Sequence, residues 1–408
     1  MMLCRHCAKP LEHTFVDLGF APPSNDYIAA ADLKRPEKHY PLTVKVCDRC
    51  WLVQTEDYAQ ADELFRSDYA YFSSTSTSWV AHAARYAARM VADLALTSSS
   101  LVVEVASNDG YLLKNFVEAG VPCLGIEPTA GTAAAAELLD IPVLRQFFGE
   151  ATAKALVAEG RQADLVAGNN VYAHVPDIND FTRSLAIILK PNGVVTLEFP
   201  HLMRLVESCQ FDTVYHEHFS YLSLVAVQRI FAAAGLRVFK VEELLTHGGS
   251  LRVFGCRSDA IHETTASVAA LLGEERKRGM ETTAYYLGFQ PRANAVKDGL
   301  LRFLLDAKAQ GKSVAGYGAA AKGNTLLNYA GVRPDLLPFV CDAAKAKQNT
   351  FLPGSHIPVL APQALTEHRP DYVIILPWNI ADEVREQLAP LAALGTRFVT
   401  AVPALRVA

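Results

Sequence analysis

Apolar positions change their spacing twice along the chain, and these changes divide the sequence into three segments. Residues 1–66 hold short strand-like stretches broken by turns that contain proline and glycine, which is typical of a small module with little helix. Residues 67–258 alternate apolar runs with stretches of helical period, and residues 259–408 repeat this alternation after a long helical segment. Near-continuous apolar strands separated by helices indicate parallel sheets covered on both faces. The pattern predicts an α/β protein with a small N-terminal module and two larger domains.

Composition and charge narrow the class of protein. The chain has 408 residues, of which 50% are apolar and 20% charged, a balance typical of folded globular proteins. Its formal charge is −5 and it has no basic run, so we expect no nucleic-acid partner. No apolar run reaches the roughly eighteen residues of a membrane span, and the first residues hold a cysteine pair and charges where a signal peptide has its apolar core. We therefore predict a cytoplasmic monomer or small homo-oligomer without a membrane partner.

Four of the eight cysteines form two CxxC pairs separated by 39 residues: Cys4, Cys7, Cys47 and Cys50. Two such pairs complete a tetrahedral shell of four thiolates, which suits zinc. The alternative is four unrelated thiols, and His6 and His13 are interpreted as bystanders. Because a closed four-cysteine shell leaves no position for water or substrate, we predict a structural Zn²⁺ that holds together a module too small for an adequate core.

The first large domain begins with a nucleoside-binding pattern. LVVEVASNDGYLL reads as a buried strand that contains Glu104, then a turn with Asn108, Asp109 and Gly110, then the start of a helix; Glu127 ends the next strand. A carboxylate at that position is suited to accept hydrogen bonds from a ribose diol. The GxGxxG pattern that makes room for pyrophosphate is absent, which favours S-adenosylmethionine (SAM) over NAD. The alternative is that Glu127 is only a solvated carboxylate.

A later strand of the same segment ends in Asn169 and Asn170, and a helix, the sequence KPNG and another strand follow. This arrangement is similar to the later part of the class I methyltransferase (Rossmann-like) fold, in which the ligand lies across the carboxyl ends of parallel strands. We therefore add both asparagines to the predicted cofactor site. His174 follows one such end and is a catalytic candidate by position, although a loop histidine is more often a surface residue or a helix cap.

The densest cluster of titratable residues lies in FDTVYHEHFSYLSL, which contains Tyr215, His216, Glu217, His218 and Tyr221. His218 could remove a proton because imidazole titrates near neutral pH, and Glu217 could orient a ring or raise its basicity. A zinc site built from both histidines and the glutamate is one alternative, but histidine ligands on a helix usually lie four residues apart. An ordinary structural polar cluster is a second alternative. We favour acid/base chemistry.

Seven motifs follow one another along the chain: the double CxxC, DYAYFSSTSTSW, EVASNDGYLL, NNVYAHVPD, YHEHFSYLS, THGGSLRVF and GYGAAAKGNTLLNY. Their order resembles that of the three-domain SAM-dependent sugar C-methyltransferases, most closely the branch of tetronitrose C-3′-methyltransferases. The resemblance implies methylation at C-3 of a dTDP-linked 4-keto-deoxysugar and a structural zinc in the N-terminal domain. By motif, it implies these catalytic residues: Tyr71 or Tyr69, His174, Tyr215, Glu217 and His218.

Such a reaction requires these residue types. Carbon is a poor nucleophile until the C–H bond beside a ketone is ionised, so the site needs a base over that carbon and hydrogen-bond donors for the enolate oxygen. Histidine and tyrosine supply both functions.

The second large domain contains a near match to a dinucleotide fingerprint. Gly316, Gly318 and Ala321 follow a strand and open a helix, and Asp342 ends the next strand, so an NAD-dependent oxidoreductase or epimerase of nucleotide sugars is the main rival. A phosphate-bearing nucleotide sugar could use the same helix N-terminus, as the resemblance implies. Two different interpretations are a solvated helix lysine at position 322 and a non-catalytic nucleotide-sugar-binding protein. The predicted substrate-binding residues of this second Rossmann-like domain are Lys322, Asn324, Asn328 and Asp342.

Overall fold

The computed structural model describes residues 2–56 and 72–408 of the chain. Within residues 2–56, the N-terminal module contains four strands: β1 (His13–Ala21), β2 (Ile28–Ala29), β3 (Tyr40–Val46) and β4 (Val53–Thr55). Strands β1, β3 and β4 form an antiparallel sheet, and its fourth strand, β10 (Ser220–Tyr221), comes from the second segment. The module therefore does not complete its own sheet.

A seven-stranded sheet forms the centre of the second segment. Its strands are β5 (Val102–Val105), β6 (Cys123–Ile126), β7 (Val143–Leu144), β8 (Ala163–Asn169), β9 (Leu189–Pro200), β11 (Leu236–Leu244) and β12 (Ser250–Arg257). The order is β11-β12-β9-β8-β5-β6-β7, with β12 antiparallel to both neighbours. Strands β5 and β6 are buried at every position, as expected for a parallel sheet covered on both faces.

The described part of this segment, from residue 72 onwards, has seven α-helices: α1 (Thr77–Asp93), α2 (Lys114–Glu118), α3 (Ala130–Glu137), α4 (Glu150–Ala158), α5 (Ile178–Ile188), α6 (Leu202–Glu207) and α7 (Leu224–Ala233). The strand order reverses between β5 and β8. In open α/β sheets, ligands bind at such a switch point, outside the carboxyl ends of the strands. The predicted class I methyltransferase fold is confirmed.

The third segment begins with helices α8 (Ala266–Lys277), α9 (Thr283–Leu287) and α10 (Phe289–Ala309). Its sheet has the order β16-β14-β13-β17-β18-β19, of which only the last pair is antiparallel. These strands are β13 (Val314–Tyr317), β14 (Val340–Cys341), β16 (Val359–Leu360), β17 (Tyr372–Ile375), β18 (Arg397–Thr400) and β19 (Arg406–Val407). The accompanying helices are α11 (Ala321–Tyr329), α12 (Gln363–His368), α13 (Ala381–Gln387) and α14 (Ala389–Ala393). This is the predicted second Rossmann-like sheet.

The three segments are more closely joined than the sequence pattern indicates. In addition to the β4–β10 pair, β2 pairs with β15 (Thr350–Phe351) of the third segment. The largest cluster of buried apolar side chains also contains residues of all three segments. The boundaries at residues 66 and 258 stay predictions: the first lies outside the described residues, and the second directly follows β12. No helix in the described part of the chain is long and apolar enough to cross a membrane.

A buried carboxylate fixes the start of α7, the helix that follows β10. Glu275 on α8 is completely buried, and its two oxygens accept hydrogen bonds from the backbone N–H groups of Leu224 and Val225 at 2.7 and 2.8 Å. The imidazole of His201, also buried, lies 2.7 Å from the same carboxylate. The negative charge therefore satisfies two N–H groups that a helix N-terminus leaves without an intrahelical partner.

Candidate active site

A cavity of about 560 Å³ lies where the three segments meet. Its lining includes Asn25 of the N-terminal module, Glu127 and His174 of the second segment, and Lys322 of the third. The cavity extends from the carboxyl ends of β5, β6 and β8 towards the N-terminus of α11. It is therefore placed to hold two ligands side by side, one on each Rossmann-like sheet.

Glu127 lies at the end of the cavity nearest the first sheet. Only 5% of the residue is exposed, and its carboxylate accepts hydrogen bonds from the backbone N–H groups of Asn108 and Thr129 at 3.0 and 2.9 Å. These two bonds fix the carboxylate beside the turn after β5, where the sequence predicts the ribose. Phe147, which is 54% exposed, and Phe148 line the same end and add apolar surface suited to an adenine ring.

The turn after β5 has residues with special backbone geometry. Asn108, which lines the cavity, has φ of +50°, a conformation that asparagine tolerates better than most residues. Gly110 has φ of +77°, and a Cβ there would lie 2.5 Å from the Ile141 side chain. Glycine is therefore required at this position by both the backbone angle and the packing of the turn.

Three of the predicted cofactor-binding residues do not line the cavity: Glu104, Asp109 and Gly110. Glu104 lies completely buried on β5, and burial, together with the charges of Glu127 and Asp109, raises its pKa well above the usual range. Asp109 accepts a hydrogen bond from the backbone N–H of Ser74 at 3.1 Å. The structure thus places Glu104 on the strand before the turn, and Asp109 and Gly110 within the turn, where they shape its backbone.

Asn169 and Asn170, at the end of β8, both line the cavity, and their contact with the cofactor stays a prediction. The side-chain amide of Asn170 donates to Nε2 of His247 at 3.0 Å. His247 also lines the cavity, although sequence reasoning did not single it out as a site residue. Its φ of +53° is unusual for a residue other than glycine, and its position within the THGGS motif is the one sequence signal that could have indicated it.

Two imidazole rings of the cavity lining meet edge to face. The ring centroids of His174 and His218 are 4.6 Å apart, and the ring of Tyr215 lies 4.0 Å from that of His218. Nδ1 of His218 donates to the backbone carbonyl of Thr213 at 2.9 Å, which leaves the lone pair on Nε2. The Thr213 carbonyl therefore sets the tautomer that a general base needs.

Burial keeps both imidazoles neutral near pH 7. It lowers the pKa of His174 to about 4, opposed by a hydrogen bond with the Glu217 backbone. Burial also lowers the pKa of His218 well below its usual range, and the neighbouring His174 contributes to this effect. An imidazole that is unprotonated before the reaction is able to accept a proton.

Glu217 is oriented by the N-terminal module. One of its carboxylate oxygens accepts a hydrogen bond from the side-chain amide of Asn25 at 2.7 Å, and both residues line the cavity. Asn25 was missed because nothing in its turn sequence distinguishes it from an ordinary surface residue. His216 does not line the cavity; its ring lies 3.2 Å from the Pro41 carbonyl. Tyr69 and Tyr71 lie outside the described residues.

Two lysines from the third segment reach the other end of the cavity. Nζ of Lys322 donates to the side chain of Asn379 at 2.7 Å and lies 4.9 Å from the centre of the Trp378 ring. Burial lowers the pKa of Lys322, while the charge of Asp212 opposes that effect. Lys347, which sequence reasoning missed, donates to the Ala319 carbonyl at 2.9 Å. The two lysines bring basic side chains to this end of the cavity, and Lys347 also lies 3.7 Å from the carboxylate of Asp342.

The remaining predicted substrate-binding residues do not line the cavity. Asn324 donates to the Ser24 carbonyl at 2.6 Å and Asn328 to the Pro353 carbonyl at 3.0 Å. Asp342 accepts from the backbone N–H of Ala344 at 2.8 Å. Residues four apart on a helix share a face. The face of α11 that holds both asparagines packs against other loops of the same protein, whereas Lys322, in the first turn of α11, lines the cavity.

The glycines of the dinucleotide-like fingerprint have packing explanations. A Cβ on Gly316 would lie 2.7 Å from the Val340 side chain, and one on Gly318 would collide with Pro377. Gly318 also has φ of +89°. The close approach of strands and loops therefore accounts for these glycines without a bound pyrophosphate.

The four cysteines of the CxxC pairs come together in the N-terminal module. Their Sγ atoms lie within 4.8 Å of one another, with 3.4 Å between Cys4 and Cys50 and 3.5 Å between Cys7 and Cys47. Tetrahedral Zn–S bonds of ~2.3 Å place sulfurs about 3.8 Å apart, so the set fits zinc. His6 pairs with Asn179 instead. Among the described residues, no other group of three or more His, Cys, Asp and Glu side chains is arranged closely enough to hold a metal ion.

Comparisons with known proteins cover nearly the whole chain. Residues 4–65 match a zinc binding domain family, residues 79–241 a methyltransferase domain family, and residues 245–403 a family described as the C-methyltransferase C-terminal domain. The C-methyltransferase NovU of Streptomyces niveus is 34% identical over 404 residues, which span 99% of this chain and 96% of that protein.

Two further comparisons are partial. An uncharacterized methyltransferase of Mycobacterium leprae is 29% identical over 116 residues, which span 27% of this chain and 43% of that protein. The crystal structure of magnesium protoporphyrin IX methyltransferase from Synechocystis PCC 6803 with bound SAM covers 44% of this chain and 79% of its own, with 16% identity and a TM-score of 0.34.

Proposed function

Because the chain belongs to the sugar C-methyltransferase family, and is a SAM-dependent C-methyltransferase with a structural zinc, we propose that it methylates C-3 of a dTDP-linked 4-keto-deoxysugar. The observation that carries this proposal is the tautomer of His218. Its Nδ1 is bonded to the Thr213 carbonyl, so the basic Nε2 is available in a cavity that also contains the Glu127 carboxylate.

The proposed reaction begins at the sugar. His218 removes the proton from C-3, which is acidic because the adjacent C-4 carries a ketone. Tyr215 and His174 surround the base and are the candidate donors for the developing enolate oxygen. Bound SAM supplies the electrophilic methyl group. The residues that line the cavity exclude water and hold the carbon nucleophile in place, a positioning effect that contributes substantially to such reactions.

The lysine-lined end of the cavity supports a nucleotide-linked acceptor. Lys322 and Lys347 line it beside the N-terminus of α11, and helix N-termini bind phosphate groups through their N–H groups and dipole. A nucleoside diphosphate at this end would leave the attached sugar between the lysines and the two imidazoles. The dTDP group and the 4-keto-deoxysugar are the parts of this proposal that a substrate screen tests.

The screen incubates the protein with methyl-labelled SAM and a panel of dTDP-linked 4-keto-deoxysugars, followed by mass spectrometry and NMR of the product. We expect a new methyl group on C-3. Methyl transfer to oxygen, or transfer only to acceptors without a ketone, would contradict the proposal.

The base is tested by His218→Asn. The asparagine amide can still donate to the Thr213 carbonyl, but it lacks the basic nitrogen. We expect solvent deuterium exchange at C-3, measured by NMR without a methyl donor, to fall by about 10²–10⁴-fold, the usual contribution of a general base. The matched control is His216→Asn, which lies two residues away and outside the cavity lining. This variant should catalyse deuterium exchange at C-3 at nearly the rate of the unmodified protein.

Two further results would reassign the base. Exchange that persists in His218→Asn but disappears in His174→Asn or in a Tyr71 variant would show that the roles are interchanged. Exchange that survives all three substitutions would mean that this segment performs no acid/base chemistry.

A further inference from the structure

We propose that Arg5, which lies between the zinc-ligand cysteines Cys4 and Cys7, is a positioning residue for the two loops that carry His174 and His218. Arg5 does not line the cavity, so it would act through these loops and not on the substrate. The inference rests on the proposed function, because it concerns the geometry of the same two imidazoles.

The first contact of Arg5 is with the His174 loop. Nη1 donates to the carbonyl of Pro176 at 2.8 Å, and Pro176 lies two residues beyond His174 and lines the cavity. Arg5 belongs to the turn from Cys4 to Cys7, the first zinc knuckle. The backbone of this knuckle is bonded to the start of α5, because the side-chain amide of Asn179 donates to the carbonyls of Arg5 and His6 at 3.1 and 2.9 Å. The knuckle thus holds the loop from two sides.

The second contact of Arg5 is with strand β4, which pairs with β10 directly after the His218 loop. Nη2 donates to the Thr55 carbonyl at 2.8 Å. The hydroxyl of Thr55 in turn donates to the carbonyl of His218 at 3.1 Å, and its backbone N–H donates to the carbonyl of Phe219 at 3.2 Å. The Arg5 guanidinium also lies 5.4 Å from the centre of the Phe219 ring. One guanidinium is therefore bonded on one side to the His174 loop and on the other to the strand that holds His218.

A buried glutamine connects this arrangement to the cysteine shell. Gln54 is completely buried; its Oε1 accepts from the backbone N–H of Arg5 at 2.8 Å, and its Nε2 donates to Sγ of Cys4 at 3.2 Å. The conformation of the knuckle, and with it the direction of the Arg5 side chain, is thereby tied to the four cysteines. A module that only closed a small core would need the cysteines but not a side chain bonded to two distant loops.

Arginine is suited to this role because its planar guanidinium presents several N–H donors in a fixed geometry, whereas lysine has one flexible ammonium group. The rings of His174 and His218 meet edge to face with centroids 4.6 Å apart, so a shift of either loop changes the position of one ring relative to the other and to the substrate. Misplacement by about 1 Å can reduce a rate by about 10²-fold.

The test is Arg5→Lys, which keeps the charge but cannot make both bonds in the same geometry. We expect kcat to fall by about 10- to 100-fold, with zinc content and SAM affinity, measured by calorimetry, close to the parent values. The matched control is Arg49→Lys, which changes the exposed arginine of the other knuckle between Cys47 and Cys50; it should leave kcat unchanged.

A second measurement needs no substrate. Amide hydrogen exchange followed by mass spectrometry should be faster in Arg5→Lys for peptides spanning 172–177 and 214–222, and unchanged for 102–127. Thr55→Val, which removes only the hydroxyl bond to His218, should accelerate exchange in 214–222 alone and remains informative if Arg5→Lys does not fold.

The outcomes separate this inference from the proposed function. If the parent protein fails to methylate the sugar, the proposed function fails, while the exchange measurement still reports on the loops. Parent-like exchange in both loops of Arg5→Lys would overturn the inference. A loss of zinc that accompanies the loss of rate would also overturn it, because Arg5 would then only support the metal site.

Discussion

At the scale of single residues, Glu127 offers a sharp test of the cofactor site. We expect Glu127→Ala to weaken SAM binding, because the ribose would lose a charged hydrogen-bond acceptor and such bonds contribute roughly 1.5–3 kcal/mol. Calorimetric titration with SAM measures the change. The control is Glu137→Ala, which removes an exposed carboxylate paired with Arg145 on the surface and should leave the affinity unaltered. Unchanged SAM affinity in Glu127→Ala would reject the assignment.

Sequence reasoning predicted residues that the structure brings together, or places in the cavity lining, where a local pattern carries the chemistry. The spacing of the cysteines indicates their shell, and a carboxylate at a strand end indicates Glu127. It missed Asn25 and Lys347 because their roles depend on the contact of separate segments, which no local pattern records. It assigned Asn324 to substrate binding from its place on α11, but the face of a helix that meets a neighbour depends on tertiary packing.

At the scale of helices and strands, Glu275 joins elements that are distant in sequence. We expect Glu275→Ala to lower the free energy of unfolding by about 3–5 kcal/mol, because it leaves His201 and two helix N–H groups buried without their partner. Denaturant unfolding measures this change. Glu274→Ala, on the neighbouring residue, removes only an i,i+4 pair with Arg278 whose side chains are 40% and 35% exposed, so its effect should stay within about 0.5 kcal/mol. Equal effects of the two variants would contradict the proposed role of Glu275.

The long elements of the fold were predictable, and the short ones were not. Buried runs such as β5 and the helical stretches between the strands carry a clear period, so the two Rossmann-like sheets follow from the sequence. Strands β2, β10 and β15 have two residues each, too few for any period to be visible. They exist because a partner strand lies beside them, and these strands are the ones that join the three segments.

At the scale of the whole molecule, the zinc should stabilise more than its own module. We expect chelation to remove one zinc per chain, to increase hydrogen exchange in β1, β3, β4 and β10, and to abolish proton exchange on the substrate, while SAM binding is retained at the far end of the cavity. Metal analysis and calorimetry measure these changes. Cys47→Ser should reduce zinc content, whereas Cys209→Ala, at a buried thiol outside the shell, should not. The prediction would be contradicted if the protein purified without zinc, or if proton exchange on the substrate continued at the full rate after chelation.

The pairing of β4 with β10 also has a consequence for how the protein is made. The ribosome synthesises the N-terminal module first, but Thr55 and its partner His218 are separated by 163 residues. At roughly 5–20 residues per second, β4 remains an open edge for on the order of ten to thirty seconds of translation. An exposed edge strand is a template for pairing with other chains. During that interval the N-terminal sheet presents an unpaired edge to other chains, and the exposure ends when β10 pairs with β4.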